Sequence, residues 1–206
     1  MTRPSWIAPI LLLVTCVAFA QTPSNEAAAK PQTKEELLAY FDRTSEDLLS
    51  KVNGLSEAQW KFKPAPDRWS VAEVFEHITV TEQALQGMMK QALQAEANAA
   101  KKPTAQDAGI VPMTTDRSRK FKAPESVQPT GRFATQQQAL EAFKKVRAAT
   151  MEMARSTPED VLRAHTASSP GGEMDIHQFL LFTAAHSERH TKQIEEVMAD
   201  ANFPKK

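Results

Sequence analysis

Apolar residues recur at helical spacing through most of the chain, and no stretch holds a period-two alternation, so the pattern predicts helices throughout. Thr33 opens "TKEELLAYFDRTSEDLLSKV" with Glu36 three residues on, a capping box. Leu37, Leu38, Phe41, Leu48, Leu49 and Val52 then share one face as far as the stop at Asn53-Gly54. A single capped turn starts at Ser56 with Gln59 as its box partner, and Pro64 and Pro66 break it. Ser70 and Glu73 restart a helix that runs to about Ala99, with Val71, Val74, Phe75, Ile78, Leu85 and Met88 inward.

Residues 101–134 carry four prolines and no period, which predicts a long crossover between the second and third helices rather than a tight turn. The third helix starts at Thr135, boxed with Gln138, and uses Leu140, Phe143, Val146 and Met151. "STPEDVL" predicts another short turn with Pro158 at its first position. Gly171 and Gly172 precede a last helix expected from Met174 to about Asp200. Four long helices and one long connection predict an all-α four-helix bundle. Splitting the chain at the proline-rich segment would leave two helix pairs, neither with an adequate core.

The ends of the chain differ from this body. Arg3 is the one charge in the first twenty residues, residues 7–20 are nearly all apolar, and Ala18-Phe19-Ala20 closes them: a signal peptide, with cleavage expected after Ala20. The run is shorter than the ~20 residues a membrane span needs, and Pro9 interrupts it. Thr15 stands where Gly or Ala usually precedes a lipidated cysteine, which argues against an anchor at Cys16. The expected organisation is therefore a signal peptide over 1–20, a polar leader over 21–32, the bundle over 33–200 and a tail over 201–206.

The one cysteine leaves with the signal, which removes thiol catalysis and disulfides from the mature protein. Export places it in the periplasm or outside the cell. Lys and Arg balance Asp and Glu at 25 each, so neither nucleic acid nor an anionic membrane surface is an expected partner. The partner expected is a small-molecule substrate.

Candidate chemistry lies in the histidines. At ~100° per residue, Ile176, Phe179, Thr183, Ile194 and Val197 of the last helix fall within about 60° of one line, and His186 and His190 within about 80° of it. His177 falls on a flank, His165 in the preceding loop, and His77 at the margin of the second helix's apolar face. Two imidazoles on successive turns can reach one ion, and a third from a neighbouring helix would leave a coordination position open. The same spacing also suits two hydrogen-bonded core histidines. Glu188 points away from both, so the HExxH arrangement of zinc proteases is absent.

"FKPAPDRWSVAEVFEHITVTEQAL", followed much later by "AAHSERHTKQI", resembles the DinB-like family, which includes the YfiT-type metal-dependent hydrolases. The resemblance runs from about Lys34 to Asp200. It matches Trp69 and Ser70 to the opening of the second helix, His77 to a first metal ligand, and His186 and His190 to a pair on the fourth helix. It implies a four-helix bundle whose His77, His186 and His190 hold a divalent ion, often zinc or nickel, and which in some relatives transfers low-molecular-weight thiols. Export sets this chain apart, because such thiols are mainly intracellular.

The expected function is thus an exported metal-dependent enzyme that activates water or a thiol, with a non-catalytic metal-binding or stress-related bundle as the alternative. Related bundles often dimerise, which makes a homodimer the assembly to look for. Glu73 is expected to serve as a cap before it orients His77, Arg189 and Gln193 to lie at the surface, and Trp60 and Trp69 to anchor the core.

Overall fold

The boxes at Thr33, Ser56 and Ser70 form in the computed structural model, which describes residues 33–97, 102–169 and 172–205. In each, the hydroxyl accepts the third residue's N–H and that residue's side chain returns to the cap N–H, satisfying two otherwise orphaned donors. They open α1 (Lys34–Val52), α2 (Glu57–Lys61) and α3 (Val71–Gln94). Gly54, at φ 71°, turns the chain after α1 in a conformation other residues rarely adopt. The signal segment and leader lie outside the described residues.

After the crossover come α5 (Gln136–Ser156), α6 (Glu159–Ala164) and α7 (Ile176–Met198). The bundle is made of α1, α3, α5 and α7, with α7 packed against the other three. Its apolar residues fall into two layers. Phe75, Phe143, Leu48, Val74, Ile78 and Ile194 fill one; Leu37, Phe41, Met89, Phe179 and Leu180 fill the other. Polar centres lie on the same helices between and beside them.

Several features depart from the sequence expectation, the first being that α3 ends at Gln94, with Ala95 as its extended C-cap, rather than near Ala99. The crossover contains α4 (Asp107–Thr115), packed along α7, and a short 3-10 turn over Glu125–Val127. Gly109 and Pro112 dilute the helical signal of α4, yet Ile110 and Val111 are buried in the core. Residues 174 and 175 belong not to the last helix but to a two-stranded hairpin, β1 (Thr166–Ser169) with β2 (Gly172–Asp175). Asp175 ends that hairpin as the N-cap of α7, boxed with Gln178. A Cβ on Gly172 would collide with Thr104, whose N–H donates to Glu173 O, so glycine fits where the crossover meets this hairpin. Lastly, Met88 is 38% exposed and its neighbour Met89 takes the core position.

Candidate metal centre

His77 projects from α3 and His186 and His190 from α7, and one ring nitrogen of each lies within 4.8 Å of one on the others. Ring centroids stand 4.6 Å apart for His77 and His190, 5.1 Å for His77 and His186, and 4.4 Å for His186 and His190. His77 and His190 are buried and His186 is partly open. His177 and His165 do not join them. His165 turns its Nδ1 to Val161 O at 2.9 Å. His177 is fully buried instead of lying on an open flank, because α6 covers it: Nδ1 sits 2.8 Å from Glu159 Oε1 without the alignment of a hydrogen bond.

Two of the three rings are oriented from behind. His77 Nδ1 donates to Val127 O at 2.8 Å, and His190 Nδ1 donates to Gln193 Oε1 at 2.8 Å. A carbonyl oxygen can only accept, so each partner places the imidazole proton on Nδ1 and leaves the Nε2 lone pair free. Among the described residues His186 takes no hydrogen-bond partner. Trp69 closes one side, its ring 5.0 Å from that of His77, and Phe182 packs 5.9 Å from His186.

The surroundings keep the imidazoles neutral. Burial lowers the pKa of all three, and for His186 and His190 the neighbouring histidines lower it further. His190 reaches about 3, and His186 lies well below its ordinary value. Three converging neutral imidazoles without a thiolate or carboxylate among them form a donor set that suits zinc, nickel, copper or iron. The residues therefore fit a divalent ion, and three donors leave at least one position of a tetrahedral set to another ligand.

The other residues singled out in the sequence meet the expectation in part. Glu73 is the cap it was expected to be, accepting from Ser70 N and pairing with Lys63 at 2.9 Å rather than meeting His77. Glu188 accepts from Tyr40 Oη at 2.9 Å on α1, away from the cluster; burial, and then that carboxylate, push the Tyr40 phenol well up. Trp60 is a core residue against Phe75, whereas Trp69 borders the histidines. Gln193 is half-buried behind His190. Arg189 is buried, donating to the carbonyls of Thr114, Asp116 and Arg119, so it holds the C-terminal end of α4 against α7.

A second buried centre had no counterpart in the sequence reading. Arg147 of α5 and Glu82 of α3 are 3% and 2% exposed and paired at 2.8 Å. The guanidinium also donates to Ser187 Oγ, Thr44 Oγ1, Ser45 Oγ and Phe41 O, between the rings of Phe41 and Phe143. Ser187 follows His186 directly, so this pair tethers α7 beside the cluster.

A four-helix bundle with three histidines gathered from two of its helices is the class this geometry defines. The chain belongs to the DinB superfamily, whose sequence model matches residues 40–194. It is 23% identical over 167 residues to the uncharacterized protein YuaE of Bacillus subtilis (strain 168), spanning 78% of this chain and 96% of that one. It also shares its fold with the solved structure of YfiT from Bacillus subtilis, described as a probable metal-dependent hydrolase with an unusual four-helix bundle topology. The TM-score is 0.59 at 14% identity, over 89% of this chain and 94% of that one.

Proposed function

We propose that this protein is an exported metal-dependent hydrolase acting on a small molecule, with His77, His186 and His190 as the ligands of one divalent ion. The observation that carries the reading is the convergence of three imidazoles within 4.8 Å, two of them with Nδ1 already committed to acceptors. The likeness to YfiT supports hydrolysis over thiol transfer, and so does export, which separates the protein from intracellular thiols. Zinc or nickel suits the donor set. Cleavage after Ala20 would leave Gln21 at the mature N-terminus.

Held by His77, His186 and His190 with one position open, a divalent ion would supply Lewis-acid polarisation of a carbonyl or phosphoryl oxygen and would lower the pKa of water there towards ~7. The chain's own residues hold and shield that position. Val127 and Gln193 fix the tautomers of His77 and His190, and Trp69 and Phe182 restrict solvent at two of the rings. The α7 hydroxyls beside the pair are already committed: Ser187 Oγ accepts from Arg147, and Thr183 and Thr191 donate to carbonyls of their own helix, while Thr81 Oγ1 lies 3.4 Å from His77 Nδ1, on the side of the ring away from the free Nε2. This supports direct attack by water over a covalent enzyme intermediate.

The test is elemental analysis of protein purified from the periplasm without a histidine tag, followed by assay of the metal-loaded form against ester, amide and phosphoester panels. One equivalent of zinc or nickel and turnover lost in His186→Ala are expected. Stoichiometric metal without turnover on any panel would favour the non-catalytic alternative, and absence of metal would remove the reading altogether.

A further inference from the structure

His77 has a neighbour that does not touch the cluster. Adjacent helix positions point about 100° apart, so Glu76 faces away from His77 and towards the end of the crossover. Its buried carboxylate takes four donors from there. Oε1 accepts from Thr130 N and Arg132 Nη1, both at 2.8 Å; Oε2 accepts from Gly131 N at 3.0 Å and Arg132 N at 3.1 Å. Three consecutive backbone N–H groups reach one carboxylate because Gly131 adopts φ 79°.

The segment caught in this way is the one that orients His77. Arg132 Nη1 also donates to Gln128 O at 2.8 Å, and Gln128 Nε2 donates to Ala123 O at 2.9 Å, which ties residues 123–132 into one body. Val127 sits inside that body with its side chain buried, and its carbonyl accepts the Nδ1 proton of His77. The next polar atom is Thr81 Oγ1, at 3.4 Å from the same nitrogen. A hydroxyl can donate as readily as accept, so it does not fix the tautomer; the Val127 carbonyl does. If the segment moves away, Nε2 can carry the proton and ceases to be a ligand.

We infer that Glu76 is a positioning residue that clamps the crossover onto α3, holds the Val127 carbonyl on His77 Nδ1, and so couples the order of residues 123–132 to occupancy of the three-histidine centre. The coupling rests on the metal-binding reading above; the clamp on the His77 tautomer does not. By linkage, whatever affinity the ion loses when the segment is released, the segment gains in protection when the ion binds.

The experiment compares wild type, Glu76→Gln and Arg132→Ala as full mature chains, with Zn²⁺ as the probe. In metal-free protein, ¹⁵N spectra of the histidine rings should show His77 as the Nδ1–H tautomer in wild type and as a tautomer mixture in Glu76→Gln. Zn²⁺ affinity, read by chelator competition, should fall on the order of 10–100-fold in Glu76→Gln. Zn²⁺ should slow tryptic cleavage after Lys122 and Arg132 in wild type and do so much less in the variant. Arg132→Ala, which removes one of the four donor arms, should shift all three readouts the same way and less, and it carries the test if Glu76→Gln fails to fold. A folded Glu76→Gln with a protease-sensitive segment but an unchanged His77 tautomer and Zn²⁺ affinity would overturn the inference and leave Glu76 a loop fastener. A tautomer shift in a protein that binds no Zn²⁺ would leave the clamp standing, overturn its coupling to an ion, and refute the metal centre. No Zn²⁺ binding and no tautomer shift would refute both.

Discussion

The two buried polar centres, the ion pair between α3 and α5 and the histidines between α3 and α7, are satisfied in opposite ways. Arg147 and Glu82 carry full charges, and the guanidinium spends its donors on a carboxylate, three hydroxyls and a carbonyl, so the centre is complete without any ligand. The three histidines, whose ring centroids lie within about 5 Å of one another, carry no charge and turn ring nitrogens towards their own kind. Lone pairs that face each other in a buried space neither hydrogen-bond nor attract. One centre stabilises the fold, and the other leaves bonding capacity unspent at a place that the first helps to keep rigid. Ser187, next to His186 in sequence and bonded to Arg147, joins them.

The largest expected effect breaks the histidine side of this contrast. Replacing His77, His186 or His190 by Ala should lower Zn²⁺ affinity by about a thousandfold or more, roughly a third of the ~10–16 kcal/mol that structural zinc sites gain. Metal-free stability should change little in comparison. His165→Ala and any folded His177→Ala should bind Zn²⁺ as wild type does, since neither ring reaches the cluster. Competition with a calibrated chelator separates these outcomes, and equal affinity across all five variants would return the cluster to a set of packed core histidines.

The charged side should break in the other direction. Glu82→Gln leaves a buried guanidinium without its counter-charge, which costs about 3–5 kcal/mol of folding stability. For a domain of this size that lowers Tm by roughly 6–20 °C, measured on metal-free protein. A fall of only a degree or two would mean that water reaches Arg147 and that the pair is not the closed centre described.

These contrasts explain what could be read before the structure. His186 and His190 were legible because four residues on one helix face is a geometric statement, and the helical period was strong there. His77 lay only at the margin of its apolar stripe, and it was the likeness to known relatives that linked it to the pair. Arg147 and Glu82 were illegible, since single charges on amphipathic helices look like solvated ones until partner helices cover them. Gln193 and Arg189 were hidden for the same reason. The strands 166–169 and 172–175 are too short to impose a period, and α4 is both short and interrupted by Gly109 and Pro112; burial against α7 makes α4 a helix. Caps were the most legible feature, being local chemistry that needs no tertiary partner.

A pH series sharpens the comparison further. His186 and His190 have folded-state pKa values depressed by burial, whereas the unfolded chain titrates near ~6.5. Below that value the unfolded state takes up protons that the folded state refuses, so the stability of the metal-free protein should fall as pH drops from ~6.5 towards the value of about 3 at His190. Between pH ~6.5 and ~4.5 few carboxylates titrate, which isolates the histidines. Urea titrations of metal-free wild type should show ΔG declining across that window, and His190→Ala should flatten the slope. Parallel slopes would mean that solvent reaches His190.

The smallest expected effect lies behind His190. Gln193 could present either end of its amide to the imidazole, but Arg117 Nη1 stands 3.4 Å from Oε1, and a guanidinium has only donors. The oxygen therefore faces Arg117 and His190 together, and His190 must donate from Nδ1. Arg117 is itself held by both oxygens of Glu196, at 3.0 and 2.7 Å, so the orientation is passed inwards from an ion pair at the surface. Gln193→Ala removes the acceptor and should weaken Zn²⁺ binding by about tenfold, the low end for partners of ligand histidines. Gln193→Glu keeps an acceptor and adds charge, so it should match wild-type binding or tighten it. Arg117→Ala leaves the amide free to flip and should cost less than Gln193→Ala. Zn²⁺ affinities falling in the order Gln193→Glu, wild type, Arg117→Ala, Gln193→Ala would show orientation of His190 acting on the ion; the same affinity in all four proteins would confine the Gln193 contact to packing.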